Sequence, residues 1–479
     1  MMHWPLALDF MPDSGAVVLV AGFTLAIVVC ARAFGRKSTE MHKRGVLLCE
    51  GTGWQRRGAR FKCSHDGVST LAGIPIPLCD ETKHFKLIGT TGTGKSTAIR
   101  ELMRCALARG DRAVFADPDG GYCRGFFDRY RGDIVLNPFE RGSVKWDLFA
   151  ELNNSYDVEQ LVSALIPSSN DPSASEWRAY ARTYVSAVVR RCLAEKRRDG
   201  AELWRLLAIA PSEELQPLVA GTPAQPFLDP ENARMFGSIR SVAVSAMAAF
   251  EYVQAQRAAP FSVRAWVRSR TNPGLLFIPY KAGQLAALKS MIATWLRIAI
   301  FEAMSVDENH DQRLWFVIDE LDALGAIDGL KDALARLRKF GGRCVLGFQS
   351  IAQVSSTYGA GDAKTIVENC GNTLILRCSS SENGGTSEFA SRLIGEREIV
   401  RKQISRGSDR EAAFSMRGAR RSRNTSEQHV TETAVMASQI EQLPDLSGYL
   451  KLASSRTWLK VSISPDRDQS NHPSWTYAE

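Results

Sequence analysis

Apolar positions along the chain fall into three patterns, and each predicts a different kind of element. The first is an uncharged run from Gly15 to Ala31, GAVVLVAGFTLAIVVCA. Extended to Phe34 it holds 20 residues, about 30 Å as a helix, which matches the apolar thickness of a bilayer. No Lys or Arg precedes the run, whereas Arg32, Arg36, Lys37, Lys43 and Arg44 follow it. A secretory signal needs positive charge ahead of its apolar stretch. The pattern therefore predicts one transmembrane helix over 15–34, with residues 1–14 outside and the rest of the chain in the cytoplasm. A buried core helix is the competing reading, because the run is short and contains two glycines.

The second pattern is a series of short, continuous apolar runs. HFKLIG (84–89), RAVFA (112–116), DIVLNPF (133–139), LLFIP (275–279), LWFVI (314–318), RCVLGF (343–348) and TLILR (373–377) read as buried strands. KSTAIRELMRCALARG (95–110) reads as a helix after the first of them. Alternation of this kind predicts a parallel sheet covered on both faces, an α/β fold. The third pattern lies between residues 146 and 262, where strand signals stop. In EWRAYARTYVSAVVRRCLAEKRR (176–198), Trp177, Tyr180, Ala181, Tyr184 and Val188 recur at helical spacing.

The predicted organisation is a linker with a few strands over 35–83 and an α/β domain over 84–145 and 263–465. An all-α insertion occupies 146–262, and a polar tail covers 466–479. Composition agrees with a globular body: 44% of residues are hydrophobic and 23% charged, which excludes a disordered chain and a multi-span membrane protein. The formal net charge of +8 is small for 479 residues and by itself says little about nucleic acid. The ten cysteines form no C-x-x-C pair and no zinc-spaced cluster, so a reduced body without structural metal is expected.

The chemistry is concentrated at two strand ends. Gly89-Thr90-Thr91-Gly92-Thr93-Gly94-Lys95-Ser96, with Thr97 after it, fits the Walker A pattern between a strand and a helix. Its glycines allow consecutive N–H groups to face phosphate oxygens at a helix N-terminus. Lys95 is expected to reach the β- and γ-phosphates of ATP, and Ser96 to hold Mg²⁺. Leu314–Ile318 followed by Asp319 and Glu320 fits a Walker B strand. Asp319 is assigned to Mg²⁺, and Glu320 to the attacking water as general base. Gln349, just past RCVLGF, lies at the same sheet edge, where it orients water or senses the γ-phosphate; a plain surface glutamine fits its spacing equally. Arg336, Arg338 and Lys339 offer an arginine finger for a neighbouring subunit, or simply a solvated helix face.

Taken together, GTTGTGKS, the DPDGGY turn, DIVLNPFERGSVKWDLFAEL, VIDEL, ARLRKFGGRCVLGFQSIAQ and GYLKLA resemble the type IV secretion coupling proteins. These are inner-membrane ATPases of conjugation, and the resemblance runs from about residue 84 to 463. It implies a RecA-like P-loop domain with an all-α insertion, six subunits in a ring, and a periplasmic N-terminus. It also implies that Lys95, Ser96, Asp319 and Glu320 keep the roles given above, that Gln349 is a γ-phosphate sensor, and that Arg338 is the finger. The implied partners are single-stranded DNA with its relaxase (the relaxosome), the secretion channel and the inner membrane. Relatives usually cross the membrane twice, whereas residues 1–14 are too short for a second span, and the acidic C-terminal extension of some relatives is missing.

One stretch carries much of the positive charge. Residues 397–424 hold nine Lys or Arg against three acids, a local excess of six, with almost no aromatic residue. A solvated loop, a phosphate-attracting segment and a contact with anionic lipid are all compatible with it. Two other functions fit the motifs: an ATPase that delivers protein substrates to a secretion system, and a docking platform that binds nucleotide without hydrolysing it.

Overall fold

The computed structural model describes residues 40–51, 67–169, 171–269, 271–305, 313–381, 384–408 and 421–465. The predicted span over 15–34 and the tail over 466–479 lie outside these residues. In chain order the strands are β1 (Glu40–Gly45), β2 (Leu47–Glu50), β3 (Thr70–Leu71), β4 (Ile74–Pro75), β5 (Phe85–Ile88), β6 (Arg112–Pro118), β7 (Ile134–Val135), β8 (Lys145–Trp146) and β9 (Pro260–Phe261). They continue as β10 (Leu276–Tyr280), β11 (Leu314–Ile318), β12 (Gly342–Phe348), β13 (Asn372–Ile375), β14 (Glu396–Ser408), β15 (Arg421–Thr433), β16 (Ser447–Lys451) and β17 (Thr457–Ser462).

Every apolar run read as a strand contributes to one ten-stranded sheet, ordered β2-β17-β16-β13-β5-β12-β11-β6-β10-β7. From β13 to β7 all neighbours are parallel. β16 then pairs antiparallel with both β13 and β17, so a hairpin extends the sheet at one side. Side chains alternate between two apolar clusters, as a strand period of two requires. Val114, Ala116, Phe316 and Ile318 face one cluster. Ala113, Phe115, Trp315 and Val317 face the other. Because both faces are covered, the strands read as unbroken apolar runs rather than alternating ones.

The helix Lys95–Ala108 covers the second face through Ala98, Ile99, Leu102 and Met103. The first face is covered by Ala282–Ala303 and by the helices between residues 155 and 268. Ala282–Ala303 is the one helix among the described residues long and apolar enough to cross a membrane. Here Trp295, Leu296 and Ala299 of that helix are buried in the protein core. The helix predicted from 176 begins earlier, at Pro172, because Asp171 caps it and accepts a hydrogen bond from the Ser173 N–H. At the neck of the helical stretch β8 pairs in parallel with β9. The buried Glu151 carboxylate fastens that neck, accepting from Trp146 Nε1 (2.9 Å), the Val263 N–H (2.7 Å), the Arg264 N–H (3.0 Å) and Ser262 Oγ (3.1 Å).

A separate, smaller unit contains β1, β14 and β15. The described parts of the basic stretch, 397–408 and 421–424, thus lie in strands β14 and β15, which pair antiparallel over their whole length. Their register explains where the charge goes. Arg397 and Arg401 pair with Glu432 (2.8 and 2.9 Å), and Lys402 pairs with Glu427 (3.2 Å). Lys43 of β1 meets Glu398 at 3.0 Å, and Arg44 also pairs with it. Glu427 and Glu432 lie beyond the counted window, so several of its cations are neutralised across the strands.

Candidate nucleotide-binding site

The phosphate loop forms because β5 ends at Ile88 and the chain must reverse into the helix that starts at Lys95. Gly92 (φ 77°) and Gly94 (φ 110°) take the left-handed backbone that this reversal demands. A Cβ on Gly94 would also lie 2.7 Å from Leu446 Cδ2. The loop is tethered on both sides. The Thr90 N–H donates to the Arg377 carbonyl (2.9 Å), and the Leu446 N–H donates to the Thr93 carbonyl (3.0 Å). Thr93 Oγ1 closes the turn on the Thr90 carbonyl at 2.7 Å.

Lys95 folds back over the loop, and its ammonium donates to the carbonyls of Gly89 (2.6 Å) and Thr90 (3.2 Å). Burial holds its pKa below the usual lysine value, against the raising influence of Asp319 and Glu320. Those neutral carbonyls are weaker partners than a phosphate oxygen, so the ammonium is placed to be recruited by one. Thr97, in the first turn of the helix, is half-buried.

The parallel register of β11 with β6 and β12 delivers Asp319 and Glu320 to the same sheet edge. Ser96 Oγ donates to Asp319 Oδ2 at 2.5 Å, and the Tyr122 hydroxyl donates to the same oxygen at 2.7 Å. Asp319 Oδ1 is buried and has no hydrogen-bond partner among the described residues. A serine hydroxyl and a carboxylate in contact at a helix N-terminus form a hard-oxygen pair, and these residues fit Mg²⁺.

Glu320 is half-buried, and burial, then Asp319 and Asp322, raise its pKa above the ordinary carboxylate value. Gln349 links the two halves of the site. Its Oε1 accepts from Thr91 Oγ1 at 2.9 Å, and its Nε2 donates to Glu320 Oε1 at 3.3 Å. The structure therefore brings together Thr91, Lys95, Ser96, Asp319, Glu320 and Gln349. It does not bring Arg338 to them. Arg338 is exposed in the turn that precedes β12, at the opposite end of that strand from Gln349. Sequence reasoning missed Tyr122, although the DPDGGY turn that carries it was visible as a motif.

The geometry can be set beside known proteins. Residues 68–464 match the family model described as the type IV secretion-system coupling protein DNA-binding domain. The coupling protein TraD of Escherichia coli K12 is 31% identical over 411 residues, covering 84% of this chain and 55% of TraD. The chain spans only somewhat over half the length of the curated relatives it matches. A structure of the plasmid coupling protein TrwB with the non-hydrolysable ATP analogue ADPNP superposes with a TM-score of 0.77 at 29% identity, covering 90% of this chain and 96% of that one. TrwB with ADP and Mg²⁺ gives 0.76 at 29% identity, covering 89% and 95%. The sheet and its covering helices thus form a RecA-like α/β fold.

Proposed function

Because the chain belongs to the type IV secretion-system coupling proteins, we propose that it binds ATP with Mg²⁺ and hydrolyses it to move single-stranded DNA. In this reading it links the relaxosome to the secretion channel at the bacterial inner membrane, as a homo-hexamer. The observation that carries the reading is the contact of Ser96 Oγ with Asp319 Oδ2. It joins the phosphate loop to the carboxylate strand at the point where a phosphate-bound cation would be held. The TrwB complexes with ADPNP and with ADP and Mg²⁺ support the choice of ligands.

Each residue then has a defined task. The loop N–H groups from Thr91 to Ser96 and the Lys95 ammonium hold the phosphates, while Ser96 and Asp319 hold the metal. Bound Mg²⁺ offsets phosphate charge. Glu320 accepts a proton from the attacking water, and its raised pKa makes it a stronger base than an exposed carboxylate. Gln349, already donating to Glu320, orients that water and reads the γ-phosphate. Arg338 stands before β12, at the far end of that strand from its own phosphate loop, and is assigned to the neighbouring subunit's nucleotide.

The test is steady-state ATP turnover by the detergent-solubilised full chain across a titration of single-stranded DNA. Turnover that rises with DNA supports the proposal. Turnover indifferent to DNA, with no DNA binding at low salt, would move the reading to protein substrates.

A further inference from the structure

The DPDGGY turn has no task in the reading above, yet it reaches the metal carboxylate. We infer that Tyr122 is a positioning residue that fixes the Asp319 carboxylate for Mg²⁺, and that Asp117 holds Tyr122 in place. The inference rests on the proposed Mg–nucleotide site and assigns it a part that neither the motifs nor the relatives' names supply.

The chain of contacts is short. Asp117 is the next-to-last residue of β6, is fully buried, and lies beside β11, where Ala116 is in register with Ile318. Asp119 (φ 56°) and Gly120 (φ 65°) are consecutive left-handed residues, which turn the chain back over the sheet edge. The Asp117 carboxylate then accepts the N–H groups of Tyr122 (2.9 Å) and Cys123 (2.6 Å), fixing the start of the helix Gly121–Phe126. The Tyr122 ring stacks on Phe115, with centroids 5.5 Å apart and planes 22° apart, and the Arg100 guanidinium lies 5.8 Å from its centroid. Held this way, the hydroxyl meets Asp319 Oδ2 at 2.7 Å.

Asp319 needs such a support. Its Oδ1 faces the Gly347 backbone of β12, where a Cβ would approach to 2.8 Å, and that oxygen has no hydrogen-bond partner among the described residues. Both donors act on Oδ2. Ser96 belongs to the loop that receives nucleotide, so its hydroxyl is engaged by the ligand it serves. Tyr122 belongs to the buried turn and keeps its place whatever the loop holds. It is the donor that makes the carboxylate's orientation independent of the nucleotide. Outer partners of this kind commonly change metal affinity about 10- to 100-fold when removed.

The test is Tyr122→Phe, which removes the hydroxyl and keeps the stacked ring. Mn²⁺ binding to the nucleotide complex is read by the loss of free-ion EPR signal, and nucleotide binding in EDTA by a fluorescent ATP analogue. The expected result is roughly tenfold weaker Mn²⁺ binding, with metal-free nucleotide affinity within about twofold of wild type and turnover restored by excess Mg²⁺. Asp117→Asn, which turns one acceptor of the clamp into a donor, should weaken Mn²⁺ in the same direction. Unchanged Mn²⁺ affinity in Tyr122→Phe overturns the inference. So does an equal loss of metal-free nucleotide binding, which marks a purely structural role. Failure of the wild type to bind nucleotide in either condition would instead overturn the underlying site.

Discussion

The Gln349 amide donates to Glu320 at 3.3 Å while its own oxygen accepts from Thr91 in the phosphate loop at 2.9 Å. One side chain therefore spans the interval between the loop that senses phosphate and the carboxylate proposed to activate water. Replacing Gln349 by Ala cuts this link without touching Lys95 or Ser96. The expected outcome is a fall in kcat of about 10²-fold, with KM for ATP changed by less than about threefold. Steady-state kinetics distinguishes this from a binding defect, in which KM would move instead.

The neck of the helical stretch depends on one buried carboxylate. Glu151 satisfies four donors, two of them main-chain N–H groups at the start of the helix Val263–Arg268. Burial raises its pKa, while these hydrogen bonds act to lower it. Glu151→Ala takes the acceptor away from all four donors and should cost roughly 2–4 kcal/mol. A urea titration will show this as a lower midpoint. Glu151→Gln, which keeps the acceptor oxygen, should lose less.

His84 predicts a pH dependence of stability. Its Nδ1 accepts the Cys344 N–H (3.1 Å), so Nε2 carries the hydrogen and donates to the Leu334 carbonyl (2.9 Å). Burial lowers its pKa to about 4, helped by the nearby charges of Arg338 and Arg343, against the raising effect of the Leu334 bond. The folded protein thus holds His84 neutral where the unfolded chain, titrating near 6.5, takes up a proton. The stability this contributes is complete above about pH 6.5 and is lost as pH falls toward 4, roughly 3 kcal/mol in all. Denaturant midpoints of wild type and His84→Gln across that window should converge as pH drops. Parallel curves would show that His84 is not held neutral.

Gly94 combines two constraints, a φ of 110° and a close approach to Leu446. Gly94→Ala should distort the phosphate loop and weaken ATP binding by at least about tenfold, since a Cβ is strained in that backbone and also meets Leu446. Isothermal titration with a non-hydrolysable ATP analogue measures it.

Much of this site is legible in the sequence because its signals are local. GTTGTGKS carries its glycines, lysine and serine in one loop, and LWFVI ends directly on Asp319 and Glu320. The seven apolar runs announce a covered parallel sheet because both faces are buried. What escaped depends on register and distance. The paired strands β14 and β15 place charged residues on successive positions, so they have no alternating apolar face to mark them as strands. Their ion pairs join residues far apart in sequence, such as Arg397 and Glu432. Tyr122 meets Asp319 only because β6 and β11 are neighbours, an order that no local pattern encodes.

In the proposed mechanism Lys95 captures the nucleotide and Glu320 drives its cleavage at the same site. Single-turnover hydrolysis of radiolabelled ATP by the full chain, beside Lys95→Ala and Glu320→Gln, tests it most directly. Wild type should release phosphate, Lys95→Ala should neither retain nor cleave ATP, and Glu320→Gln should retain ATP while cleaving it roughly 10²- to 10⁴-fold more slowly. Phosphate release at the wild-type rate from Glu320→Gln, or none from the wild type in any assembled form, would contradict it.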